Sequence, residues 1–292
     1  MNNKVNVFVV GAPKAGTTTL FQILAQSKEV ILPLAKEPNY FCFDFHKRWE
    51  TYNKTDAKNI KIFPKIYKPG LYHSAITYNL EDYRKMFYFG DKRSTFIDFS
   101  TTYLSSITAP KMIYEYNPKA KIIMMIRDPL SRAWSHYNMD KAIGYHQKPF
   151  VECLEEEAAA IKNDRDYPYS YIRDSNYRKS LERYLNLFER SQILLVDFPH
   201  FIKNQDLEIQ NICKFISINT FPYSFNTNIN SSRKIRFEKL RWLSIILKLY
   251  INRIPVPKKI KSIVKRVIFK RVNIPRPDDL YIKNFFKSCE II

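Results

Sequence analysis

Glycine is scarce in this chain. There are five in 292 residues, and two of them, Gly11 and Gly16, bracket one short segment. So few glycines exclude a collagen-like or low-complexity fibre, and they single out that segment. The cysteines Cys42, Cys153, Cys213 and Cys289 show no CxxC or CxxH spacing. A zinc knuckle and a disulfide framework are therefore not expected, and reduced thiols in a cytosol fit best. The five histidines also lack metal-ligand spacing. No run approaches the roughly 18 apolar residues of a membrane span. Val5–Val10 is shorter than a signal-peptide core and lacks its flanks. There is no internal repeat. The expected location is cytoplasmic, with a peripheral position on the inner face of a membrane left open.

What is present suits a globular enzyme: 45% apolar residues, 15% aromatic and enough length for one large α/β domain. The net charge of +20 is uneven, because 17 Lys and Arg against four Asp and Glu lie from Ser231 to Ile292. Such a field attracts anionic lipid, acidic polysaccharide, nucleic acid or a nucleotide alike. The aromatics show no stacking periodicity, so nucleic acid is not an expected partner.

Val5–Val10 and Lys121–Ile126 are continuous apolar, β-branched or Met-containing runs, and Ile193–Val196 is a shorter one. Each reads as a strand buried on both faces of a parallel sheet. Helices are expected at Thr17–Gln26, from Pro129 through Met139 and at Tyr177–Phe188. The alternation predicts an α/β, doubly wound, P-loop-like parallel sheet flanked by helices, with ligands beyond the carboxyl ends of the strands. Glu155, Glu156 and Glu157 read as a solvated helix face, and His136 as a packing residue.

Gly11–Gly16 lies between a strand and a helix, where free N–H groups and the helix dipole receive a phosphate. A Walker A loop places Lys and then Ser or Thr after its second glycine. Here Thr17 stands in that lysine's place and the lysine is Lys14. The loop suits a terminal phosphate-like group without a metal. Arg127 leaves the end of the second strand, Pro129 starts a helix, and Ser135 follows eight residues after the arginine. A guanidinium and a hydroxyl so placed can share an anion. Two anion sites at adjacent strand ends suggest a ligand with two separated phosphates. A P-loop nucleotide kinase and a non-enzymatic polyanion or membrane binder stay open at this level.

The pair PKAGTTTL (Pro13 to Leu20) and IRDPLSRAWSHY (Ile126 to Tyr137) resembles the 5′-phosphosulfate loop and 3′-phosphate motif of sulfotransferases that use 3′-phosphoadenylyl sulfate (PAPS). Lys36-Glu37-Pro38-Asn39-Tyr40-Phe41 is similar to the KEP-x-FF segment of bacterial carbohydrate and heparan sulfate sulfotransferases. The resemblance covers about residues 5 to 240. It implies that Lys14, Ala15, Gly16, Thr17, Thr18 and Thr19 hold the 5′-phosphosulfate, and that Arg127 and Ser135 hold the 3′-phosphate. It places Tyr177 at the adenine, Ser231 and Arg233 in a closing loop, and Glu37 as general base, with Lys14 easing departure of adenosine 3′,5′-bisphosphate (PAP). No metal is implied. The implied acceptor is a hydroxyl or amine of a carbohydrate, polysaccharide or glycolipid. The chain departs from the heparan enzymes at Asn39, where they carry histidine, at Phe99, where they carry lysine, and in lacking their cysteine-bridged cofactor loop.

Residues 1–240 read as the sulfotransferase domain and 241–292 as a basic amphipathic segment that packs on the domain or on a membrane. From Arg233 to Arg276, 15 Lys and Arg stand against one acid, Glu238, interleaved with Trp242, Leu243, Ile245, Ile246 and Leu247. Such a stretch can lie in an anionic interface. The protein is expected to co-sediment with anionic vesicles and not with neutral ones; equal partitioning overturns the membrane reading.

Overall fold

The computed structural model describes residues 4–46, 72–87, 95–143, 145, 147–224, 233–235, 269–271 and 280–288. Its centre is a five-stranded parallel sheet of β1 (Val7–Gly11), β2 (Val30–Ile31), β5 (Thr95–Asp98), β6 (Lys121–Ile126) and β7 (Ile193–Asp197), in the order β2-β5-β1-β6-β7. The fold is a single α/β domain with helices flanking this sheet, as the alternation of runs predicts. β1 is buried along its whole length and β6 along its four central residues, so both faces of the sheet are covered. β1 sits between β5 and β6, with Val7 opposite Ile97 on one side and Lys121 on the other. The chain leaves β1 for the far edge at β2, returns to β5, and then crosses to β6 and β7. The carboxyl ends of β5, β1 and β6 therefore form one crevice, where connections depart in opposite directions.

Helix α1 (Thr17–Leu24) follows β1, and α3 (Ala109–Tyr116) leads into β6. α4 (Pro129–Ile143) and α5 (Phe150–Lys162) come next, and α6 (Tyr177–Leu185) leads into β7. α2 (Leu80–Lys85) precedes β5, while α7 (Phe198–Lys203) and α8 (Gln205–Ile216) follow β7. Outside the main sheet, β3 (Ala35–Glu37) pairs in parallel with β4 (Tyr72–Ser74). β8 (Arg233–Ile235) pairs antiparallel with β9 (Phe269–Arg271), and β8 lies against α4. A second apolar cluster joins Leu130, Ala133 and Tyr137 of α4 to Phe150, Cys153 and Leu154 of α5, and to Ile282 and Phe286 of α9 (Leu280–Ser288). Cys42, Cys153 and Cys213 are free and buried; Cys289 lies outside the described residues. Among the described residues no helix is long and apolar enough to cross a membrane.

Two buried carboxylates set the loops. Asp98, at the end of β5, accepts from the Ser100 N–H (2.8 Å) and hydroxyl (2.7 Å) with one oxygen. Its other oxygen accepts from the Tyr83 and Tyr103 hydroxyls, both at 3.0 Å. Burial pushes the Asp98 carboxyl up to about 6. Glu157 corrects the expectation of a solvated helix face: it is fully buried on α5 and accepts the N–H groups of Tyr171, Ile172 and Arg173 at 2.7, 2.8 and 3.1 Å. Those donors belong to a turn that has no ladder partner for them, and a carboxylate with four lone-pair sites satisfies all three. Glu155 remains exposed and Glu156 is half-buried.

Burial raises Glu157 to about 7, against its backbone hydrogen bonds. A carboxyl raised in the folded state binds its proton more tightly there than in the unfolded chain. Folding stability is thus gained as pH falls through about 7 toward the ordinary glutamate range, and is lost again as pH rises. Thermal unfolding should show a melting temperature about 2–4 °C higher at pH 6 than at pH 8, the size of roughly 1 kcal/mol in a domain this large. Glu157→Gln should flatten that slope; an unchanged slope in the variant sinks the assignment.

Candidate active site

The segment after β1 turns within five residues. Gly11 has φ +151° and a Cβ there would stand 2.7 Å from the Leu104 Cβ and 3.0 Å from the Thr101 carbonyl oxygen. Gly16 has φ +90°, and a Cβ there would stand 2.5 Å from the Phe198 ring. Both glycines are therefore demanded by conformation and by contact. Lys14 is itself left-handed at φ +71°, and its carbonyl oxygen accepts from the Arg127 guanidinium at 3.3 Å. That bond ties the loop of β1 to the end of β6. Ala12 is tied to the same strand through its N–H and the Met125 carbonyl at 2.7 Å.

Gly16 is the N-cap of α1 and offers no side-chain cap. The first N–H groups of a helix lack intrahelical partners, so the end of α1 presents donors and a positive dipole to the crevice. Thr17 and Thr19 are buried, and Ala15 is closed off beneath the loop. Thr18 is half-buried. The Lys14 ammonium lies 3.5 Å from the Met139 sulfur of α4. Burial is the main cause that holds it below the ordinary lysine value. Asp140 opposes that shift, while Arg127, Arg132 and Lys36 add to it. An anion here would relieve a site crowded with cations.

Arg127 stands at the carboxyl end of β6 with its guanidinium 5.2 Å from the centre of the Phe198 ring. Ser135 is half-buried on α4, six residues after Pro129, about 9 Å along the helix at the ordinary rise. The Tyr177 hydroxyl, on the first residue of α6, is buried with no hydrogen-bond partner of ordinary geometry. Burial raises it to about 12, countered by the charge of Arg132 and then by a weak hydrogen bond with the Arg127 backbone. This hydroxyl thus belongs to the Arg127 end of the crevice. Ser231 lies outside the described residues, as do Asn230 and Ser232. Arg233 begins β8, on the strand that lies against α4.

Beneath Lys14 runs a network that the sequence did not announce. Arg132 is fully buried and donates through Nε to Ser175 (2.7 Å) and through Nη2 to the Ser170 and Tyr171 carbonyls (3.1 and 2.6 Å). Its Nη1 donates to His136 Nδ1 at 3.1 Å, and Asp174 lies 3.7 Å away. An arginine has no acceptor, so His136 carries its proton on Nε2. That nitrogen faces Asp140 Oδ2 at 3.8 Å, an oxygen that also accepts from the Tyr171 hydroxyl at 2.8 Å. Burial, then Arg132 and Lys14, hold His136 well below the ordinary histidine value, and it stays neutral. Packing is thus half of its role, and fixing the buried arginine is the other.

Glu37 ends β3. Its Oε1 accepts from the Lys36 ammonium at 2.7 Å and its Oε2 from the Thr101 hydroxyl at 3.3 Å. Thr101 is the residue whose carbonyl crowds Gly11, so one residue spans the carboxylate and the start of the loop. Asn39 is left-handed at φ +53° and buried. Its side-chain amide donates to the Glu37 and Ala75 carbonyls and to Ser74 Oγ, each at 2.9 Å, and its oxygen accepts from Thr102 at 2.7 Å. The side chain is spent on holding the Glu37 turn. Phe99 is fully buried, 5.1 Å edge-to-face from Phe21, and so belongs to the core.

The structure thus gathers Lys14 to Thr19, Arg127 and Tyr177 around one crevice, with Glu37 linked to the start of the loop through Thr101. Sequence reasoning missed Phe198 and Thr101. Phe198 follows the third recognised strand, where the carboxyl-end rule would have found it. Thr101 follows β5, which is too short to show a period. Among the described residues no group of three or more His, Cys, Asp or Glu is placed to hold a metal.

A family model described as the sulfotransferase family matches residues 6–222. The mouse heparan sulfate glucosamine 3-O-sulfotransferase 5 is 29% identical over 156 residues, 53% of this chain and 45% of its own length. The human enzyme of that name is 26% identical over 227 residues, covering 77% of this chain and 57% of its own. The chain therefore spans about half the length of these curated relatives. A sulfotransferase from Alicyclobacillus acidocaldarius shares the fold with a TM-score of 0.62 at 21% identity, over 90% of this chain and 97% of that one.

Proposed function

Because the chain belongs to the sulfotransferase family, we propose that it moves the sulfuryl group of PAPS onto a hydroxyl or amine of a carbohydrate or glycolipid, with Glu37 as general base. The observation that carries this reading is what meets at one loop. Lys14, Arg127 and the uncapped start of α1 gather there, and the Glu37 carboxylate, held by Lys36 and Thr101, is tied through Thr101 to the loop's first glycine.

The residues present fit the donor. The uncapped start of α1 from Gly16 to Thr19, with Lys14, would hold the 5′-phosphosulfate. Arg127, held over Phe198, and Ser135 would hold the 3′-phosphate, with the buried Tyr177 hydroxyl at that same end. When bound, the donor supplies an activated sulfuryl group on a phosphate that leaves readily. The chain's own contribution is positioning and electrostatics, with cations aimed where charge collects on the leaving side. Glu37 would take the acceptor's proton, a contribution of about 10²–10⁴ in rate. A carbohydrate acceptor is supported by the names of the relatives, which are heparan sulfate enzymes. The commitment of Asn39 to the fold and of Phe99 to the core favours an acceptor other than heparan itself.

Calorimetry should show that Arg127→Ala and Ser135→Ala weaken PAP far more than adenosine 5′-phosphate, by at least about tenfold for the arginine, because charged hydrogen bonds are worth about 1.5–3 kcal/mol. Equal losses for both nucleotides remove the 3′-phosphate assignment.

Glu37→Gln should leave PAP affinity near native while single-turnover sulfuryl transfer falls by about 10²–10⁴. A variant that transfers at a near-native rate would return Glu37 to a structural role.

A further inference from the structure

Successive side chains on a strand point to opposite faces, yet Lys36 and Glu37 of β3 bring their charged ends to 2.7 Å. Lys36 is only 4% exposed, and lysine is almost never buried without a partner. Among the described residues that partner is Glu37. The ammonium also lies close enough to the loop for its charge to act on Lys14. A buried cation is therefore paired to the carboxylate that Thr101 ties to the start of the loop.

The pair cannot persist unchanged through a proton transfer. Once Glu37 is a neutral acid, the ammonium is left buried without a counter-charge, which is costly. At the same moment negative charge is spread over the group in flight. We propose that Lys36 is a second catalytic cation, paired with Glu37 in the resting protein, shared between Glu37 and the sulfuryl oxygens once the donor is bound, and given over to those oxygens as Glu37 takes the acceptor's proton. This rests on the reading of Glu37 and the donor given above. In that step the acceptor O–H bond breaks and its proton goes to the Glu37 carboxylate. The freed electron pair forms the new S–O bond. The S–O bond to phosphate breaks, and its pair leaves on the 5′-phosphate of PAP beside Lys14. Lys36 holds the three non-bridging oxygens between these events and makes no bond.

The test compares PAP with a non-transferable PAPS analogue whose bridging oxygen is a methylene group, so that binding reports on the sulfuryl group alone. Lys36→Met should weaken the analogue at least about tenfold, the worth of one charge-assisted hydrogen bond, and leave PAP within about twofold. Native-like PAP binding also shows that the variant is folded. Lys36→Arg, which keeps the charge, should recover most of the loss. The double variant Lys36→Met with Glu37→Gln separates direct contact from simple cancellation of the carboxylate. If analogue binding stays weak relative to Glu37→Gln alone, the ammonium acts on the sulfuryl group. If it recovers fully, Lys36 merely neutralises Glu37 and the proposal falls. It falls too if Lys36→Met weakens PAP and analogue equally, or neither. Failure of the underlying function reading looks different, since the native chain itself would then bind neither nucleotide.

Discussion

The arrangement hangs on one buried carboxylate. Asp98 closes β5, and its four hydrogen bonds from Ser100, Tyr83 and Tyr103 fix where the chain goes next. The Tyr103 hydroxyl in turn accepts the Tyr40 N–H at 2.9 Å, and Ser100 Oγ accepts the Asn39 N–H, also at 2.9 Å. The turn that carries Glu37 is thereby pinned to the end of the central sheet, although β3 is no part of that sheet. Thr101 sits inside the same turn and completes the link to Gly11. Removing an acceptor from such a network leaves several buried donors unpaired, which costs about 1–3 kcal/mol for each.

A second hub does the same on the other flank. Arg132 gathers the Ser170–Ser175 turn onto α4, Glu157 gathers its N–H groups, and Asp140 stands next to the Met139 that Lys14 touches. The crevice is thus lined by lysines and a carboxylate on a frame held by buried hydrogen bonds. Preorganisation of this kind is what electrostatic catalysis requires, because the dipoles need not reorient as charge develops.

Much of this could be read from residue order. Val5–Val10, Lys121–Ile126 and Ile193–Val196 named three of the five sheet strands, with ends within two residues of those observed. β2 has two residues and β5 four, lengths at which no period can be recognised, so the far side of the sheet was invisible. The Gly11–Gly16 loop and Arg127 were legible because glycine conformation and strand-end position are local properties. Glu157 was not: its helix spacing resembles that of a solvated face, and only the approach of a turn 14 residues later puts it indoors. Arg132 was hidden for the same reason. α4 also runs past Met139 to Ile143, since nothing before Gly144 interrupts it.

The ring of Phe198 has a consequence for how the site can change. It fills the volume that any side chain at position 16 would need, and it also supports the guanidinium of Arg127. Positions 16 and 198 therefore form a single steric unit shared by the turn after β1 and the end of β6. A smaller residue at 198 would relieve the contact but not the φ of +90° that strains any side chain at 16, and it would withdraw the floor under Arg127, so the energies of the two substitutions do not add. Neither position can be changed without consequence for the other, and even with the ring gone the backbone at 16 still calls for glycine.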